Sequence, residues 1–208
     1  MSYRDPLIFT LVLAGWTCPT FAQTPSVRVQ VYDYANLEPP TLRHFLSLTQ
    51  AILFETGVSV QVNLCQGNGA VPCKSEVDAP KTLMITILAG DARHRSNSRR
   101  PALGQSAADA NGGTFASVFL APIRDQAAAA NIPWIIVLSY ATAHEIGHLL
   151  LGTQAHTPRG LMKASWDRSD YVAMFQNQCH FTHEQALLLA RRYGNGAWGT
   201  CCGKPDYL

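Results

Sequence analysis

The sequence predicts an α/β (α+β) domain. A twisted mixed sheet packs against one long central helix, and a shorter helix closes the C-terminal end. Three observations lead there. Ser26–Tyr34, Val58–Leu64 and Thr82–Leu88 are short segments rich in Val, Ile and Leu, and the first two alternate apolar with polar residues. An amphipathic stretch opening at Pro39 and Pro40 lies between the first two segments, in the order of a strand–helix–strand unit. Trp134 to Leu151 is apolar nearly all round and too long for a strand, as a buried central helix is.

Each element has its own signal. Ser26–Tyr34 reads S-V-R-V-Q-V-Y-D-Y, a half-buried strand. The helix after Pro39 and Pro40 carries Leu42, Phe45, Leu46, Ala51, Ile52 and Phe54 on its inner side, runs through Thr56 and ends at Gly57. Val58–Leu64 and Thr82–Leu88 follow as the second and third strands. Asp91–Pro101 holds Arg93, Arg95, Arg99 and Arg100 among Ser and Asn. It reads as a solvated loop; a basic rim for acidic substrate residues, or a processing site, is the sharper alternative. Ala102–Ala107 and Thr114–Leu120 read as short strands around a polar turn, Asp109 to Gly113, and Ala127–Ala130 as no more than an alanine run. Pro133 suits the first position of the central helix, with Asn131 or Ile132 near its cap. Beyond Met162 the chain is polar and turn-like until Tyr171–Phe175. Thr182 then caps a final helix, His183–Tyr193. His44, His94, His180 and His183 read as surface or capping residues.

The chemistry lies in His144-Glu145-Ile146-Gly147-His148, within the central helix. Histidines four residues apart share one helix face, one turn above the other, so both imidazoles can bind one Zn²⁺. Glu145 stands about 100° around the helix and reaches a water on that metal without being a ligand. A buried carboxylate in so apolar a helix also needs a partner. Gly152 follows the apolar run as a left-handed C-cap would, turning the chain back so that His156 can serve as the third ligand. Gln154 is a poorer zinc ligand than an imidazole, and Asp167 and Asp170 are chemically credible rivals further along the chain. A turn-rich stretch, Thr157-Pro158-Arg159-Gly160-Leu161-Met162, comes next.

On these residues the chain resembles a metzincin-type zinc metallopeptidase. That family carries H-E-x-x-H-x-x-G-x-x-H and, beneath the metal, a methionine-containing turn. Here the motif reads H-E-I-G-H-L-L-L-G-T-Q-A-H, one residue longer before Gly152 and one longer again before His156. The chain is also similar to short secreted proteins with H-E-I-G-H-x-L-L-G-T-x-A-H and G-L-M segments. The resemblance covers about residues 133 to 165 by motif. It implies a zincin-like domain, with His144, His148 and His156 as zinc ligands, Glu145 as base, and Met162 as an apolar floor below the histidines. It further implies that the edge strand of the sheet binds the peptide substrate; either Leu103–Ser106 or Phe115–Val118 fills that place. Tyr171 is a weaker candidate for holding the oxyanion.

Length, charge and cysteines set the bounds. The 208 residues suffice for one domain with a real core. Residues 1–22 read as a signal peptide: Arg4, an apolar Leu7–Trp16 region, and Thr20-Phe21-Ala22 before the cleavage point. The domain is then 23–208, secreted or periplasmic, with no stable membrane anchor, because that run is too short to span a bilayer. A net charge of +2 suggests no nucleic-acid partner. Export favours oxidised cysteines. Cys65 and Cys73 flank a short loop and are expected to pair; Cys179 is expected to pair with Cys201 or Cys202, a vicinal Cys201–Cys202 bond being a strained alternative.

The functional expectation is a monomeric secreted zinc peptidase acting on a peptide or protein substrate, with Glu145 as general base toward the metal's water. Two alternatives stand beside it: a zinc hydrolase of a non-protein amide, and a non-catalytic secreted binding module with a residual metal site. Glu145 argues against the last, since a purely structural site needs no base.

Overall fold

The computed structural model describes residues 26–67, 70, 73, 81–90 and 101–194. The expected signal peptide, the arginine-bearing stretch at 91–100, and Cys201 and Cys202 lie outside the described residues. In chain order the elements are β1 (Val27–Asp33), α1 (Pro39–Phe54), β2 (Val60–Gln66), β3 (Thr82–Leu88), β4 (Gly104–Asp109), β5 (Gly112–Phe119), α2 (Leu120–Ala130), α3 (Trp134–Leu151), α4 (Arg168–Phe175) and α5 (His183–Tyr193).

The strands form one mixed sheet, in the order β2-β1-β3-β5-β4. Its first three pairings are parallel, and β4 runs antiparallel to β5 at the edge. Strand register follows the apolar alternation. Val29 stands between Val62 and Leu83, and Ile85 beside Ala116. These residues, with Val27, Val31, Ile87 and Val118, are buried and make one face of the sheet. Against that face pack α1, through Leu42, Phe45, Ile52 and Leu53, and α3, through Val137, Leu138, Ile146 and Leu149. Helix α3 is therefore buried nearly throughout because it lies inside the core. Among the described residues it alone is long and apolar enough to cross a bilayer, yet 83% of it is buried within the protein.

Several boundaries differ from the sequence reading, each for a local reason. Leu120–Ala130 is a helix, where the sequence suggested the end of a strand and an alanine run. Alanine is the best helix former, and Pro122 falls in the first turn, where a missing N–H is harmless. Leu120, Ile123, Ala127 and Ala130 recur at helical spacing as its buried stripe. Asn131, at φ 57° and ψ 47°, is the left-handed cap of this helix and not a cap of α3. Pro133 is accordingly the N-cap of α3, one residue before the position expected for it. Helix α4 starts at Arg168, ahead of Tyr171, because Asp167 and Asp170 form a reciprocal capping box. The β4–β5 turn is tighter than expected, so the strands reach Asp109 and start again at Gly112.

Cys65 and Cys73 are joined by a disulfide, with their Cα atoms 4.9 Å apart. Cys179 is a buried free thiol here, and both of its expected partners lie outside the described residues.

Candidate metal centre

Helix α3 presents His144 and His148 on one face, and the chain beyond Gly152 brings His156 to meet them. The Nε2 atoms of His144 and His148 are 3.2 Å apart, and those of His148 and His156 are 3.1 Å apart. Their ligand atoms all lie within 4.8 Å of one another. His148 is buried, His144 is partly buried, and His156 reaches in from the exposed side.

The other ring nitrogens show what this convergence means. Nδ1 of His144 lies 2.9 Å from the carbonyl oxygen of Leu161. A carbonyl only accepts, so Nδ1 carries the proton and Nε2 of the neutral ring is a bare lone pair. Nδ1 of His148 donates in the same way to the carbonyl of Gly152 at 3.3 Å. Burial holds the His144 imidazole down at about 4, and burial also lowers that of His148, so neither ring is charged near neutral pH. Neutral lone pairs facing each other at this distance repel unless a cation stands between them. Three imidazole nitrogens, two of them on rings whose outer nitrogen is fixed by a carbonyl, make a ligand set that suits a divalent metal such as zinc. The residues present fit a metal.

The return of the chain rests on glycine. Gly152 adopts φ 94° and ψ 178°. The sequence suggested a left-handed helical cap, but this value lies in an extended region open to glycine alone. The reason is packing: a Cβ there would lie 2.5 Å from the carbonyl oxygen of Ala110. Thr153 N–H donates to Asp109 O at 3.0 Å and fixes the same junction. From α5, the buried Gln185 donates to Ala155 O at 2.7 Å, holding the residue before His156. Gln154 is exposed and lines no part of the cleft.

Beyond His156, the loop folds under α3. Thr157 N–H donates to Met162 O at 2.9 Å, and Leu161 N–H to His180 O at 2.8 Å. Met162 is fully buried, and its sulfur would be 2.4 Å from a Cβ on Gly147. It therefore packs against the helix turn between the two helix histidines. The Leu161 carbonyl that accepts from His144 also accepts from Trp166 Nε1–H at 3.2 Å, and the Trp166 ring stands edge-on to the His144 ring. Asp167 and Asp170 do not join the histidines. Both accept from Lys163 Nζ, at 2.7 and 2.6 Å, and both cap α4.

A cleft of about 500 Å³ opens over the three histidines and Glu145. One wall is Pro101–Ser106; the other includes Lys163, Trp166 and Tyr171. Of the two stretches proposed as the sheet edge, Leu103–Ser106 borders the cleft on the edge strand, while Phe115–Val118 belongs to β5, inside the sheet. Glu145 is buried beside the metal position, and burial pushes its carboxyl up to about 7, against a smaller lowering by a hydrogen bond from Ser106. His180, on the far side of the loop, pairs with Glu55 at the end of α1, and His183 opens α5.

The sequence did not show Ser106, Leu161, Trp166 or Gln185 as parts of the site. Each meets the site through a hydrogen bond or ring contact with a residue distant in the chain, and only the capping box at Thr182 and Gln185 left a local trace.

No protein-family model and no curated protein matches the chain. Solved structures do. Archaemetzincin from Methanopyrus kandleri superposes with a TM-score of 0.54 at 16% identity, covering 82% of this chain and 98% of that one. A zinc-dependent peptidase from Methanocorpusculum labreanum superposes with a TM-score of 0.52 at 12% identity, covering 78% and 99%. At these identities the likeness is one of fold, and it spans nearly the whole of the two neighbours and about four fifths of this chain.

Proposed function

We propose that this chain is an exported zinc-dependent peptidase, cleaving peptide bonds with water. The observation that carries the reading is the convergence of three imidazole Nε2 atoms beside a buried carboxylate at the foot of an open cleft. The likeness to a zinc-dependent peptidase and an archaemetzincin supports it, as does the apolar leader at residues 7–16.

His144, His148 and His156 would hold the zinc, with Leu161 and Gly152 fixing the tautomers of the first two. Zinc held there supplies Lewis acidity, which makes water a usable nucleophile at neutral pH and polarises a scissile carbonyl. Glu145 takes the proton of the attacking water onto its carboxylate and hands it to the departing amine. In the metal-free protein burial raises the Glu145 carboxyl well above the usual carboxylate range, which favours its taking up a proton. Met162 and Trp166 keep the histidines from turning. The outer edge of β4 runs along the cleft, where an extended peptide can add as a further strand. Tyr171, in the opposite wall, would be the group to hold the carbonyl oxygen of such a peptide.

Incubating the purified protein with casein and a peptide library, with and without a chelator, tests this reading. Hydrolysis that disappears on chelation and returns with zinc is expected. Zinc bound at one ion per chain without cleavage of any peptide would favour a binding module instead.

A further inference from the structure

Glu145 is not held by its own helix alone. Strand β4 crosses α3 with its half-buried positions, Gly104, Ser106 and Ala108, at every second residue. Small residues in this row let the strand approach closely. A Cβ built on Gly104 would lie 2.7 Å from Glu145 Cγ and 2.7 Å from its Oε1, so the carboxylate occupies the space that any side chain at 104 would take. Two residues on, the Ser106 hydroxyl donates to the same carboxylate. A glutamate has three side-chain torsions, and one reaching into a cleft of this size has several rotamers open to it. Here one direction is closed by the Gly104 backbone, and the carboxylate is pinned by the Ser106 hydroxyl. Pinned in this way, it still keeps lone pairs free to receive a proton.

We propose that Gly104 and Ser106 of the edge strand are positioning residues for Glu145, together clamping its carboxylate in the orientation from which it moves protons. The proposal rests on the peptidase reading above. Neither residue lies near the H-E-x-x-H motif in sequence, and neither touches the metal position. Their effect is exerted through Glu145, so a productive geometry depends on how β4 is seated as well as on α3. A proton-transfer group must be held to within about 0.5 Å of its working position, which one torsionally free side chain cannot ensure.

The test combines two measurements on the full chain. A double-mutant cycle of Ser106→Ala and Glu145→Ala in urea unfolding of the metal-free protein reads the contact itself. A coupling of at least about fivefold in the unfolding equilibrium constant is expected, and strict additivity overturns the clamp. Steady-state kinetics of the zinc-loaded protein then reads its purpose. Ser106→Ala should lower kcat about tenfold or more and leave KM within about twofold, with zinc content unchanged; Ser106→Thr should recover most of the loss. Gly104→Ala should fold, bind zinc, and lower kcat as well, because the added methyl displaces the carboxylate. An unchanged kcat in Ser106→Ala, or a loss confined to KM, overturns the positioning role. If the wild type hydrolyses no peptide, the peptidase reading fails while the unfolding cycle still decides whether Ser106 holds Glu145.

Discussion

Gly152 lies so close beneath Ala110 that a methyl group on it would meet the Ala110 carbonyl oxygen at 2.5 Å. This contact seats the β4–β5 turn on the C-terminal end of α3, where Gly112 approaches the Leu149 carbonyl just as closely. Gly152 also holds φ 94°, and its carbonyl fixes the tautomer of His148. Gly152→Ala should therefore destabilise the fold by about 2 kcal/mol or more, from strain and clash together, and weaken zinc binding with it. Urea unfolding and a zinc titration check both effects. A variant as stable as the wild type, with unaltered zinc affinity, would contradict this packing.

His156, and neither Gln154 nor an aspartate, should complete the zinc site. His156 Nε2 already lies 3.1 Å from His148 Nε2, whereas Asp170 is engaged by Lys163 and by its capping role. Equilibrium dialysis of His156→Ala should show zinc affinity lowered strongly. Gln154→Ala and Asp170→Ala should bind zinc nearly as the wild type does. The opposite ranking would place the third ligand elsewhere.

Much of this site was legible in the sequence because its parts are local. His144, Glu145 and His148 owe their arrangement to helical spacing, and a long apolar run made that helix plain. His156 followed from one glycine and the short reach of chain after it, since four extended residues span roughly 13 Å. β1 and β2 showed the alternation of a half-buried sheet, and β3 an apolar run bounded by polar segments. What stayed hidden was long-range or polar. Helix α2 lacks a side-chain N-cap and an acidic first turn, so its start left no capping signal, and half of its short buried stripe is alanine, which contrasts little with the rest of the segment. Helix α4 is short, and its Asp167 cap was read as a ligand rival rather than as a capping box. The clasp on His144 runs through a main-chain carbonyl, at Leu161, which no side-chain pattern reports.

The Cys65–Cys73 bond should contribute measurable stability. It closes a loop of separation eight, for which the loss of unfolded-chain entropy amounts to about 2–3 kcal/mol. Replacing both cysteines by serine should lower the unfolding free energy by about that amount, and peptide mapping without reduction should recover the linked pair. Free thiols at both positions in material from an oxidising compartment would count against the bond and against export together.

Glu145→Gln should remove turnover and leave zinc in place. The amide keeps the shape of the carboxylate and loses its basicity, while His144, His148 and His156 are untouched. A loss of about 10² or more in kcat is expected for a missing general base. Metal analysis beside the kinetics separates the two properties. Activity near that of the wild type would refute the role, and zinc lost along with activity would show Glu145 to be part of the coordination instead.

The same substitution should become increasingly stabilising to the metal-free protein as pH rises. In the metal-free protein burial pushes the Glu145 carboxyl up to about 7, from an ordinary value of 4.5. Between those two pH values the folded chain keeps a proton that the unfolded chain has released. The unfolding free energy therefore falls as pH rises through this window. The favourable contribution is complete below about 4.5 and gone above about 7, a change on the order of 3 kcal/mol. Glutamine is neutral throughout and carries no such dependence. His144, lowered to about 4 by burial, acts in the opposite direction, but it is common to both proteins and drops out of their difference. Wild type and Glu145→Gln should thus be close in stability near pH 4.5, and the variant should be the more stable at pH 8. Thermal or urea unfolding of both proteins in chelator, across that range, measures the difference. A difference that stays flat from pH 4.5 to 8 would mean that the carboxylate is solvated in the metal-free protein, and that β4 does not cover it.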